Sequence, residues 1–420
     1  MAGPLKGLDV GITNGSFQTL MLIMSASYLL VLLAARELHV RGLVAAILAA
    51  NLILLLGPPL ISQDVFGYLS FARLGALHGL DPYTHVAAEV PTDPVFGFVG
   101  WPFLHSPYGP LFTIASYATA PLGIAGGLWA FKAVAVASSL GAVALIARAA
   151  GRLGQSPRWA AAFVGLNPVL LVLAAGGAHN DTLIIMLLAA ALALTAGANP
   201  RFRAAAVALA TGVAIKITAG LVLPFLVLAP RSARERMGIV GTAALSLVAL
   251  VALGLIGFGT HALDFLDAVG EQQQLVATHS VPAETARLVG LSGTPTWWRH
   301  LFVAAFLVVL VGALWRTARG ANWRIAAGWT TLALLLSTAW LLPWYATWVL
   351  PLAAVSGDRR LRTATLVFCA YAVLIHLPLA DPLLSPQPTV PRHTLTITRR
   401  HGLELSRFKI PDYATFDLRW

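Results

Sequence analysis

Charge is scarce in this chain: Asp, Glu, Lys and Arg make up 11% of its 420 residues, where soluble domains carry about 25%. With 58% hydrophobic residues and a mean hydropathy of +0.78, that shortage excludes an ordinary soluble domain and leaves an integral membrane protein. Cysteine is nearly absent. The single Cys369 lies inside an apolar stretch, which excludes an intramolecular disulfide and any cysteine-based metal site. The eleven histidines lack the close pairing a zinc site prefers, so no metal is demanded. A cleavable signal peptide is not expected, because Lys6 is followed by polar residues and then by an apolar run too long for an h-region. No internal repeat period is evident, and the apolar blocks point to an all-α polytopic fold.

What charge there is has one dominant sign, +11 net, and a pattern. Arginines gather in short connections: Arg36/Arg41, Arg148/Arg152/Arg158, Arg201/Arg203, Arg231/Arg234/Arg236, Arg316/Arg319/Arg324 and Arg359/Arg360/Arg362. These alternate with connections almost free of Lys and Arg, as cytoplasmic loops do under the positive-inside rule, so the charge sets topology and not nucleic-acid binding. Anchoring them inside gives about twelve transmembrane spans. They lie near 17–35, 42–61, 128–148, 159–177, 182–198, 204–215, 217–229, 238–257, 300–315, 325–341, 346–356 and 362–380. The organisation expected is a transmembrane domain over 1–380 and a polar tail over 381–420. This count leaves both ends outside, although the tail carries Arg392, Arg399, Arg400, Arg407, Lys409 and Arg419.

Two outward connections are long enough to build a site, 62–127 and 258–299. The first contains an apolar stretch, Tyr108 to Leu122, expected to lie on or dip into the membrane. It opens with Asp64, directly after an apolar run. A carboxylate at that depth is solvated or functional, and Asp64 also suits a helix cap beside Ser62. Gly176-Gly177-Ala178-His179-Asn180-Asp181 lies on the same side; it is either a tight turn or a grip for a sugar or phosphate. Lys216 sits between two short apolar segments, where it either snorkels or holds a phosphate. Trp344 and Tyr345 are interface anchors or sugar-stacking rings, and Tyr83, His105 and Tyr108 have the same amphipathic character. The second connection carries Gln272-Gln273-Gln274, Arg287 and Arg299.

In order, Gln63-Asp64-Val65-Phe66-Gly67-Tyr68 with Arg73, Gly79-Leu80-Asp81-Pro82-Tyr83, Ser106-Pro107-Tyr108-Gly109-Pro110-Leu111, Gly177 to Asp181, Lys216 and Pro343-Trp344-Tyr345 resemble the GT-C superfamily of polytopic glycosyltransferases. The likeness is greatest to the actinobacterial polyprenyl-phosphomannose-dependent α-mannosyltransferases that build lipomannan. Family members often carry a second tyrosine where this chain has Phe66, and the tail after 380 matches nothing in the pattern. The resemblance implies a first extracytoplasmic loop with membrane-parallel helices and an essential acid at Asp64. It implies a multi-pass plasma-membrane enzyme with its site on the extracytoplasmic side. That enzyme would move a sugar, mannose by likeness, from a polyprenyl-phosphate donor to a glycan or glycolipid acceptor. Lipid phosphate is already a good leaving group, so a general base, Asp64, and no general acid is expected, with inversion. No cofactor is required beyond the lipid-linked donor. Tyr68, Arg73, Tyr83, His105, Tyr108, His179, Asn180, Asp181, Lys216, Trp344 and Tyr345 are the implied substrate contacts. The alternative is a transporter or flippase of polyprenyl-linked or amphipathic substrates. Transporters place ionisable groups near the midplane between matched halves, whereas here the acids lie in outer connections and no halves match.

Overall fold

The computed structural model describes residues 14–375. The tail expected over 381–420 and the end of the last expected span lie outside the described residues. Within them the fold is all helical, with no strand. The α-helices are α1 (Asn14–Ala34), α2 (Val40–Leu56), α3 (Asp64–His78), α4 (Pro110–Tyr117), α5 (Gly123–Arg152), α6 (Pro157–Gly165), α7 (Asp181–Leu194) and α8 (Phe202–Val213). They continue with α9 (Leu223–Leu228), α10 (Ala233–Phe258), α11 (Phe265–Gln274), α12 (Val281–Leu288), α13 (Thr296–Ala318), α14 (Trp323–Ser337), α15 (Leu350–Ser356) and α16 (Arg359–Leu374).

Among the described residues four apolar helical stretches are long enough to cross a bilayer: Phe17–Ala34, Pro110–Arg152, Ala233–Leu263 and Thr296–Ala318. Their exteriors are strongly apolar; Leu245, Ile256, Val308 and Val311 are all exposed, and such a surface belongs in lipid. The protein is therefore a membrane protein. The other expected spans are shorter or broken. Near 159–177 the chain bends by 44° between α6 and a π-helical segment, Val169–Ala175. The bend falls at Asn167-Pro168, where proline lacks the N–H that would continue the helix and the Asn167 side chain accepts from Val169 N–H instead (2.9 Å). Asn167 Nδ2 also donates to Tyr28 Oη (3.1 Å), which in turn donates to the Phe163 carbonyl (2.7 Å), so the break is pinned to α1. The expected pair 204–215 and 217–229 is α8, a 3₁₀ segment over Ile217–Val222, and α9, with Lys216 extended at the turn (φ −153°).

At the centre α5 packs along α7, which is flanked by α8. A buried cluster around these helices also takes in α6, α15 and the 3₁₀ segment Pro343–Trp348. A second buried cluster, Val65, Tyr68, Leu69, Phe112, Leu128 and Phe131 among others, seats α3 and α4 against the N-terminal half of α5. In the connection 62–127 only short helices follow α3: α4 and 3₁₀ turns at Ala87–Glu89, Phe96–Phe98 and Ala120–Leu122. The apolar stretch after Tyr108 thus forms α4, which leads through a 3₁₀ turn into the long α5.

Candidate functional site

Two strained turns bring the polar residues together. Ile61 (φ 66°) precedes α3, and Ala178 (φ 56°) precedes His179; these are the positive-φ residues other than glycine among the described residues. A β-branched residue in the left-handed region is disfavoured and persists only where its surroundings hold it. The two turns hold each other through Leu60 N–H and the Gly176 carbonyl (3.0 Å). Ser62 Oγ then accepts from Asp64 N–H (3.1 Å), so Ser62 caps the backbone and leaves the Asp64 carboxylate free to face inward. Gly177 is required beside them, since a Cβ there would come within 2.6 Å of the His179 ring. A third turn is drawn in by Gly109, whose N–H donates to the Ile215 carbonyl (2.9 Å), next to Lys216. A Cβ on Gly109 would fall 2.3 Å from the Ala214 oxygen, so only glycine allows the approach.

The result is a cavity of about 380 Å³, open to one side and lined by Asp64, Tyr108, Lys216, Tyr345 and Trp348 among others. His179 is fully buried behind Asp64, with Nδ1 3.4 Å from Asp64 Oδ2, and its ring stacks on Trp344 at 3.8 Å between centroids. Neither His179 nitrogen makes a well-aligned hydrogen bond. Burial alone would raise the Asp64 carboxyl. The adjacent His179 ring, the Lys216 charge and the Ser62 hydroxyl outweigh it and hold Asp64 below the usual carboxylate range. The Asp64 carboxylate thus faces the cavity with its charged form favoured.

Asp181 is buried and does not cap α7 with its side chain. It accepts from Lys216 Nζ (2.9 and 3.2 Å) and from Trp348 Nε1 (2.6 Å). Lys216 also lies over the rings of Tyr345 (4.6 Å) and Trp348 (5.2 Å), so it is a fixed, paired cation and not a snorkelling one. Tyr68 is buried, contacts Asn180 Oδ1 at 3.4 Å, and packs edge-on to Tyr108 at 5.0 Å. His105 lines the cavity with Nδ1 3.3 Å from Glu271 Oε2 of the connection 258–299.

Asp64, Tyr68, His105, Tyr108, His179, Asn180, Asp181, Lys216, Trp344 and Tyr345 therefore line the cavity or stand directly behind its wall. Two expected contacts are placed elsewhere. Arg73 is held by Asp93 (2.9 Å), which also binds His78 (2.7 Å). Tyr83 donates to the Tyr108 carbonyl (2.8 Å) and Thr113 Oγ1 (3.0 Å), with its ring against Phe258. Neither lines the cavity. The sequence gives no signal for Trp101 and Trp340, and marks Trp348, the Gln272–Gln274 run and Arg299 only as members of the aromatic stretch after Leu342 and of the connection 258–299; all five elements line the cavity. Trp348 had a signal, three residues after Tyr345 in one helical turn, and the two rings stack at 4.3 Å.

Comparison with known proteins adds an independent line. The family model described as "Alpha-(1->6)-mannopyranosyltransferase, N-terminal domain" matches residues 9–232, and that of the "MptB C-terminal domain" matches residues 287–398. A relative from Mycobacterium tuberculosis, named Alpha-(1->6)-mannopyranosyltransferase A, is 28% identical over 351 residues, 77% of this chain and 66% of the relative. One of the same name from Corynebacterium glutamicum is 34% identical over 194 residues, 44% of this chain and 38% of the relative. The chain thus spans just under two thirds of the first relative's length and well under half of the second's. No solved structure matches it. With over half its length matched by the first family model, the chain belongs to the alpha-(1→6)-mannopyranosyltransferase family.

Proposed function

We propose that the protein is a multi-pass mannosyltransferase of the plasma membrane. It moves mannose from a polyprenyl-phosphate donor to an α-(1→6)-linked mannan or glycolipid acceptor on the extracytoplasmic side. The observation that carries this reading is the Asp64 carboxyl group facing a cavity of about 380 Å³, backed by His179, in a chain of this family. In the step proposed, an acceptor hydroxyl oxygen attacks the anomeric carbon while the bond from that carbon to the phosphate oxygen breaks. The hydroxyl proton passes to Asp64, and polyprenyl phosphate leaves with the bonding pair. A single displacement inverts the anomeric centre.

The departing phosphate needs cations. Arg73 is occupied by Asp93 and stands outside the cavity. Lys216 and Arg299 line it. Lys216 shares its charge with Asp181, so it offers the phosphate a directed but partly neutralised ammonium. Arg299 makes hydrogen bonds to backbone carbonyls and a threonine hydroxyl, with no carboxylate partner among the described residues, and keeps its full charge. The topology that suits this chemistry keeps the basic connections in the cytoplasm, with about twelve membrane crossings, several of them short or broken, and the helices after α3 lying along the outer surface.

The test is the Asp64→Asn protein in proteoliposomes, given polyprenyl-phosphomannose and an α-(1→6)-linked mannobioside. Transfer is expected to fall about 100- to 10,000-fold, as on losing a general base, while the donor still binds. Turnover near that of the unaltered protein would remove Asp64 from the role.

A further inference from the structure

We propose that Gln272, Gln273 and Gln274, together with Trp101 and Trp340, form a saccharide subsite that holds the acceptor glycan beyond its reacting sugar. This rests on the transferase reading for the word acceptor, but the site itself stands on its own geometry. The three glutamines end α11 and all line the cavity that contains Asp64. Their side-chain amides make no hydrogen bond to any described residue, so three carbonyl acceptors and three NH₂ groups are free for a ligand.

Backbone and neighbouring ties hold the run in place. Glu271 is paired with His105 of the first outer connection (3.3 Å). Arg299 Nη1 donates to the carbonyls of Gln273 (3.3 Å) and Gln274 (3.4 Å). Ala277 N–H donates to the Ala339 carbonyl (2.8 Å), the residue before Trp340. The segment is therefore tied to the first outer connection, to α13 and to the end of α14, while its side chains stay uncommitted. A run that served only as a connection would have no need of this anchoring at both ends.

Trp101 and Trp340 meet edge to face at 5.6 Å and line the same cavity. Indole rings suit the C–H faces of a pyranose, and amides suit its adjacent hydroxyls, each of which donates and accepts. The run itself carries no charge, so it fits a neutral sugar better than a phosphate. The phosphate has its own partners in Lys216 and Arg299. The acceptor is the substrate left to occupy the glutamine and tryptophan wall.

The experiment uses the full-length protein in proteoliposomes, polyprenyl-phosphomannose as donor, and α-(1→6)-linked mannooligosaccharides of two and four residues as acceptors. The Gln272→Ala/Gln273→Ala/Gln274→Ala protein is expected to raise the KM for the tetrasaccharide about tenfold, the scale of one or two lost hydrogen bonds. Donor KM should be unchanged, and any preference for four residues over two should disappear. Saturation-transfer NMR with the tetrasaccharide and no donor should show a signal in the unaltered protein that weakens in the triple variant and in Trp101→Ala. An unchanged tetrasaccharide KM and NMR signal in the triple variant overturns the subsite, as does a rise in donor KM alone. Because the glutamines end a surface helix, folding is not at stake, and thermal unfolding of the variant checks this. Should the unaltered protein bind the tetrasaccharide yet transfer no mannose, the transferase reading falls and the saccharide site stands.

Discussion

At the scale of single residues, the site turns on how His179 treats Asp64. Burial pushes this carboxyl up, and three groups, His179, Lys216 and Ser62, pull it down by more. A base works in its ionised form, so the acid limb of kcat/KM in the unaltered protein should fall below the usual carboxylate range. Removing the imidazole leaves burial opposed only by Lys216 and Ser62. His179→Asn should therefore move that limb to higher pH, with most activity retained well above it. A pH profile of kcat/KM in the two proteins measures this, and a limb that stays put would mean His179 only fills space against Trp344. Asp64, His179, Asp181 and Lys216 were all legible in the sequence as polar residues where an apolar chain can ill accommodate them. Their pairing was not. Lys216 and Asp181 are 35 positions apart, and nothing in either segment says that they neutralise each other. Arg73 misled for the same reason, because its partner Asp93 reads as an ordinary loop acid.

Among elements, α3 is held in register by a clamp on its outer face. Asp93 binds Arg73 and His78, one helical turn or so apart, and also accepts from Val95 N–H (2.9 Å). Side chains of Arg73 and Asp93 are 13% and 6% exposed, so screening by solvent is slight. Asp93→Asn leaves Arg73 without its counter-charge, a loss of about 3–5 kcal/mol for breaking one side of a buried pair. Burial would raise the Asp93 carboxyl, but Arg73, His78 and Val95 N–H hold it low. A depressed carboxyl contributes its full stabilisation above its unfolded pKa and loses it as pH falls through the folded one. The clamp should thus survive mild acid and fail below the usual carboxylate range. Thermal unfolding in detergent against pH reads this: the unaltered protein should lose stability there, and Asp93→Asn should start lower and lack that step. Elements were less legible than residues. Hydropathy marks α1, α10 and α13 well because each faces lipid along its length. It divides 204–215 from 217–229 at Lys216, where the backbone is indeed extended, but it reads each side as a span because it cannot see that the second is a 3₁₀ segment followed by a helix of six residues.

The whole molecule gathers its arginine-rich connections into one layer. Arg158 donates to the Leu38 carbonyl (3.0 Å), Arg152 to Ala193 (3.1 Å) and Arg324 to Thr195 (2.6 Å). Gln155 donates to Val355 (2.7 Å) and pairs with Arg362, while Arg203 rests against Gly238 beside the connection Arg231/Arg234/Arg236. All six connections are joined by these contacts. The cavity draws on other segments, and α5 separates the two regions: it runs 30 residues, roughly 45 Å, from the turn after α4 to Arg152. If the basic layer is cytoplasmic, the cavity mouth is outside, where a lipid-linked donor and an extracellular glycan can meet. Asn180 is buried and unsuited to labelling, but Thr84 and Gln273 are exposed on the two outer connections, and Arg319 is exposed in the basic layer. Single cysteines at 84, 273 and 319, in a Cys369→Ala background, should separate cleanly. A membrane-impermeant maleimide on intact cells should modify 84 and 273 at once, and 319 only after the cells are opened. Labelling of 84 without 273 would break the cavity apart, since its lining comes from both connections. Labelling of 319 alone would turn the site toward the cytoplasm and remove the outer-face chemistry with it.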